Sequence, residues 1–206
     1  MTSSRVGVYV ESRVSLPYGG RIAKLVYSFI TSLDGYIEDP HGSFEFAAPD
    51  PQMHRAANVQ ALAASAFLFG RGLFDVMEEP WTVAAKRDDL PPVEAEFAEA
   101  YVATPRYVFS DTLERAPEGV DLVRRAEARA VVERLKGESE GELNIGDAGL
   151  AASLIDLIDD FRLFVVPVAV GGGKPFFPAG SRLQLRLIEQ REFASGALYL
   201  HYERDD

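Results

Sequence analysis

The sequence predicts an α/β domain with a mostly parallel central sheet flanked by helices and closed by a C-terminal antiparallel hairpin. Three observations predict it. Short apolar runs alternate with stretches of helical spacing along most of the chain. Several of these runs end on a glycine or a small hydroxyl residue, and Leu183 to Glu203 alternates on either side of Ser195-Gly196.

Composition narrows the function classes. The chain has 206 residues, 47% of them hydrophobic, enough for the core of one domain. It has no cysteine, which excludes disulfides and thiolate metal sites and suits a reducing cytoplasm. A formal charge of −11 argues against nucleic acid or an anionic membrane as partner, so an anionic ligand has to be held by local basic groups and backbone N–H. No apolar run approaches the ~20 residues that span a bilayer, and the expectation is a soluble intracellular protein. His41, His54 and His201 lack ligand spacing, so no metal is expected.

Residues 1–23 alternate at Val6, Val8 and Val10, break at Pro17 and Gly19-Gly20, and read as an extension before a domain over 24–206. Lys24 to Ile30 is a strand that runs into Ser32-Leu33-Asp34-Gly35. Asp-Gly favours a turn with positive φ, either as turn chemistry alone or as the strand-end loop where open α/β sheets contact ligands. Pro49-Asp50-Pro51 starts a helix that runs to about Ser65. Ala66 to Phe69 is the next strand, and Gly70-Arg71-Gly72 opens a second helix, where an arginine can fork onto a phosphate or simply face solvent. Glu94 to Val102 is an acidic helix. Arg106 to Phe109 is a strand closing on Ser110, and Ala126 to Lys136 is a helix with Ala128, Val131, Val132 and Leu135 on its apolar side.

Leu143 to Ile145 then forms a strand, and apolar residues recur at Leu150, Leu154, Leu157 and Phe161 with helical spacing. The turn between them, Gly146-Asp147-Ala148-Gly149, presents backbone N–H groups and the positive end of a helix dipole to one spot, which suits a pyrophosphate. Phe161 to Val170 reads as a strand buried on both sides, with a bulge or an unpaired edge at Pro167, ahead of the loop Gly171-Gly172-Gly173-Lys174.

The ordered set Ser32-Leu33-Asp34-Gly35, Gly70-Arg71, Ser110, Gly146 to Leu150 and Pro167 to Lys174 resembles the C-terminal reductase domain of the bifunctional riboflavin-biosynthesis deaminase/reductase, over about Lys24 to Tyr202. The resemblance implies the dihydrofolate reductase-like fold, NADPH as cofactor, a small heterocyclic or carbonyl substrate of the pyrimidine-ribitol or pterin kind, and a homodimer. By position it places Gly70, Arg71, Leu73 and Ser110 at the adenosine end of the cofactor. Gly146, Asp147, Ala148, Gly149 and Leu150 fall at the pyrophosphate. Ser32, Gly35, Gly172 and Lys174 border the substrate, with Asp34 as first candidate for proton donor and His54 as second. Two positions depart from the family pattern: Asp147, where members often have a second glycine, and Leu73, where they frequently have threonine. A carboxylate at position 147 caps the helix and repels a pyrophosphate. It favours the alternative expectation of a relative that binds another small ligand or partner.

Overall fold

β1 (Lys24–Thr31) is the strand from which the sheet grows, and the residues after it sort onto its two faces. The computed structural model describes residues 22–205, so the extension read over residues 1–23 lies almost wholly outside them. After β1 come β2 (Tyr36–Glu38), α1 (Pro51–Ala63), β3 (Ala64–Gly70), α2 (Arg71–Ala84), α3 (Pro92–Ala103), β4 (Arg106–Phe109) and β5 (Val120–Val123). The remainder is α4 (Ala128–Glu138), β6 (Glu142–Ile145), α5 (Ala148–Ser153), β7 (Asp160–Val165), β8 (Lys174–Pro175), β9 (Leu185–Glu192) and β10 (Leu198–Arg204).

Eight of these strands form one sheet in the order β5-β4-β3-β6-β1-β7-β10-β9, parallel from β5 to β7 and closed by the antiparallel β10–β9 hairpin. β2 and β8 form a separate two-stranded ribbon. The mixed α/β class, the mostly parallel sheet and the terminal hairpin are those read from the sequence.

Two faces follow from the strand period. Leu25 and Tyr27 of β1, Leu68 of β3 and Leu143 and Ile145 of β6 pack with Val132 and Leu135 of α4 and Leu150 and Leu154 beyond α5. On the other face, Phe67 and Phe69 of β3 pack with Phe74 of α2 and Ala100 and Tyr101 of α3. Helices on both faces are what a parallel sheet requires. α1 begins where the sequence suggested: Asp50 accepts from Gln52 N (2.7 Å) and Met53 N (2.9 Å).

Three local readings are corrected. The helical spacing through Leu157 and Phe161 does not carry one helix, because α5 ends at Ser153, a 3-10 turn spans Ile155–Leu157, and Phe161 belongs to β7. The same residues reach a common apolar cluster from three different elements, which mimics a helical face. The strand predicted to Val170 stops at Val165, and Pro167 and Val168 are exposed outside it, so there is no bulge at the proline. β5, the four-residue VDLV that the sequence reading passed over, pairs in parallel with β4 at the sheet edge.

Candidate active site

The loop after β1 is tied to the Gly-rich loop by one carboxylate. Asp34 accepts from Val170 N (3.1 Å) and Gly171 N (2.7 Å), while the buried Ser32 accepts from Tyr36 N (2.9 Å) through its hydroxyl. The Ser32 side chain, together with the Gly171 and Val170 N–H groups, holds the Asp34 carboxyl down at about 2. An exposed carboxylate this acidic is an anchor at neutral pH and has no proton to give. The ribbon formed by β2 and β8 continues the tie, with Lys174 Nζ 2.5 Å from Glu38 Oε1. Gly173 has φ +122, and a Cβ there would strike the Glu38 carbonyl, so only glycine lets the two loops approach this closely. Gly172 lies against Pro40, and Gly35 turns the first loop with its N–H on Ser32 O.

Beside this arch lie two adjoining cavities. The outer one, about 330 Å³, is bounded by Ile37, Glu38, Phe44 and Lys174 on the arch side and by Leu73, Val76 and Asp147 opposite. The inner one, about 280 Å³, lies between the sheet and α1, α2 and α3. Phe29, Ile30 and Leu73 line both, so the two spaces share a wall at the C-terminal end of β1. Ser32, Asp34, Gly35 and Gly172 line neither; of the expected substrate-side residues only Lys174 does. His54 also lies outside both, against the rings of Trp81 and Phe97, and burial pushes its pKa down.

The residues expected at a dinucleotide converge on neighbouring strand ends. Gly70 pairs in register with Phe109, so Arg71 and Ser110 each stand one residue beyond adjacent partners. Arg71 Nε is bound to the Asp75 carboxylate (2.6 and 2.8 Å), and Ser110 Oγ accepts from Leu113 N (3.0 Å) and Thr112 N (3.2 Å). Asp147 caps α5 by accepting from Leu150 N at 2.7 Å. A Cβ on Gly70 would fall on that carboxylate, so Asp147 packs directly over the end of β3. Leu73 in turn fills the space beside Gly146: a Cβ there would lie 2.9 Å from Leu73 Cδ2.

Two residues escaped the sequence reading because β5 did. Arg124 and Arg125 leave the end of β5, and Arg124 Nη1 donates to Ser110 O (2.9 Å). Arg125 lines a small cavity of about 100 Å³ with Gly70, Asp147 and Gly149. The available signal was a pair of basic residues following an apolar–polar–apolar–apolar run.

Comparison with known proteins agrees with this fold. Residues 23–199 match the model of the RibD C-terminal domain family. The chain belongs to that family. The YyaP protein of Bacillus subtilis, itself uncharacterized, is 26% identical over 182 residues, which is 87% of this chain and 94% of that protein. Among solved structures, a diaminohydroxyphosphoribosylaminopyrimidine deaminase/5-amino-6-(5-phosphoribosylamino)uracil reductase from Thermotoga maritima superposes with a TM-score of 0.64 at 14% identity, covering 89% of this chain and 57% of that one. Dihydrofolate reductase from Enterococcus faecalis, complexed with NADP(H), gives 0.61 at 15% identity over 89% of this chain and 97% of that one. These likenesses establish the dihydrofolate reductase-like fold of this RibD-family chain.

A reduced nicotinamide dinucleotide laid across these cavities would meet a divided site. The outer cavity adjoins a second cavity, and Arg125 brings positive charge to the small one, whereas the Arg71 charge is paired with Asp75. Between the outer cavity and the small one beside Arg125 stands Asp147, which lines both. The two ends of the site suit such a cofactor; the middle carries a carboxylate where phosphate charge would fall. Among the described residues no cluster of His, Asp and Glu could hold a metal ion, and no helix is long and apolar enough to cross a membrane.

Proposed function

We propose that this RibD-family chain is an NADPH-dependent reductase of a small heterocyclic or carbonyl compound. The observation that supports this reading best is the wall of Phe29, Ile30 and Leu73 common to the two cavities, because it would make a ring in one space the neighbour of a ring in the other. When bound, NADPH would supply the hydride, and the chain's own residues would align the rings and exclude water. Arg71 and Arg125 would bind the phosphate of the adenosine end. Asp34 would position the arch by holding Val170 and Gly171, with Ser32, Gly35, Gly172 and Lys174 completing it rather than touching the reacting atoms. Tyr101 is the one ionisable side chain lining the inner cavity; its hydroxyl donates to Glu78 (2.9 Å), and burial pushes its pKa up, so the proton of a reduction would come from water. We place the protein in the reducing cytoplasm, as a homodimer.

Titration of NADPH, followed by cofactor fluorescence, tests the reading. Saturable binding is expected in the wild type, with affinity lower by roughly tenfold in Arg71→Ala, as for one lost charge-assisted hydrogen bond. Asp147 favours a second reading, a relative in which the pyrophosphate subsite is closed and another small ligand is bound. Binding by Asp147→Gly alone would select it, and binding by neither protein would end the reductase assignment.

A further inference from the structure

The inner cavity narrows the substrate class, in an inference that rests on the reductase reading. None of its lining residues is charged. Its walls are Phe67, Phe69, Phe97, Tyr101, Phe164 and Met53; besides the Tyr101 hydroxyl, which is taken by Glu78, polar side chains stand at three points, Ser28 and Asn144 on the sheet and Gln60 on α1. The Asn144 amide donates to Gln60 O at 3.3 Å, and its oxygen has no partner among the described residues. The charges behind the walls are already paired: Glu78 Oε2 lies 3.1 Å from Arg106 Nε and accepts from Tyr101. A phosphate or carboxylate here would give up its water for aromatic carbon with no cation to replace it, at a cost that binding cannot recover. The overall charge of −11 opposes an anion as well.

We propose that this cavity takes an uncharged, flat, largely apolar ring compound bearing a carbonyl, such as a quinone or a cyclic enone, and rejects phosphorylated pyrimidines. The ring would lie among the aromatic walls, and its carbonyl would meet the Ser28 hydroxyl or the Asn144 amide, a mostly apolar site with a few placed polar groups. For a quinone the step balances as two electrons: one hydride from reduced nicotinamide gives the hydroquinone anion, one proton from water gives the hydroquinone, and the nicotinamide is left oxidised.

The chain carries its own reporter. Trp81 is its single tryptophan, and its ring centroid lies 4.5 Å from that of Phe97 on the cavity wall. Menadione titrated into the cofactor-free protein should quench Trp81 saturably, whereas uridine 5′-monophosphate should leave it unchanged. Ala57→Phe, which fills the cavity from α1, should raise the menadione midpoint by about tenfold. Met77→Lys, which puts a cation on the wall, should do the same and serves if the first variant fails to fold. Equal or tighter binding of the nucleotide, or a midpoint indifferent to both substitutions, overturns the proposal. Oxidation of NADPH by menadione is read separately in the same samples: saturable binding without turnover counts against the reductase reading and leaves the cavity's preference established.

Discussion

Asp34 and Asp147 show how much one carboxylate can decide. Asp34 has its pKa depressed from 3.8 to about 2, so it binds fewer protons in the folded state than in the unfolded one over that interval. The stability it contributes is complete above about pH 4 and is lost as pH falls toward 2. Wild-type melting temperature should therefore drop across that window, and Asp34→Asn should flatten this part of the profile. Amide exchange at Val170 and Gly171 should quicken in the same variant, because those N–H groups lose their acceptor. Asp147→Ala should cost about 1 kcal/mol as the loss of an N-cap, measured by urea denaturation. Asp147→Gly should cost only a few tenths while relieving the charge that would face the phosphates of the proposed cofactor. Stability and cofactor affinity would thus move in opposite directions at one position.

At the level of elements, the sheet carries a buried ionic ladder that the alternating pattern of the sequence did not announce. Asp160 at the start of β7 is 1% exposed, and its carboxylate meets Lys24 Nζ (3.1 Å) and His201 Nε2 (3.0 Å). Burial raises its pKa, but the hydrogen bonds from His201 and Lys24 outweigh that and leave it lowered. Arg162, two residues on, is bound at both Nη atoms by Glu142 of β6 (2.7 and 2.6 Å). Removing Asp160 leaves Lys24 and Arg162 short of a partner, so Asp160→Ala should destabilise by about 3 kcal/mol in chemical denaturation. The strand signals in KLVYSFI, ASAFLFG and RYVF were legible because apolar residues dominate them. β5 and the β2–β8 ribbon were not, since their pairing partners, not their own composition, make them strands. The site followed the same rule: strand-end glycines and Arg71 stood out, whereas the inner cavity depends on side chains from three helices and four strands that only the folded chain brings together.

For the whole molecule, the proposed homodimer has a place to form. β9 is the outer strand of the sheet, its outer edge pairs with no other strand among the described residues, and Leu187 and Ile188 are 45% and 44% exposed. Light scattering during gel filtration should give twice the monomer mass, and Ile188→Lys should return it to the monomer. The strand order has a further consequence. β1 is made early, yet its neighbours β6 and β7 come late: Lys24 pairs with Glu142, and Val26 with Asp160. On the ribosome the sheet's middle strand must therefore wait, apolar and without mates, until most of the chain has emerged, which puts this protein among slow folders dominated by distant contacts. A nascent chain arrested before β6 should still be protease-sensitive and chaperone-bound, and protection should arrive abruptly once β7 clears the exit tunnel.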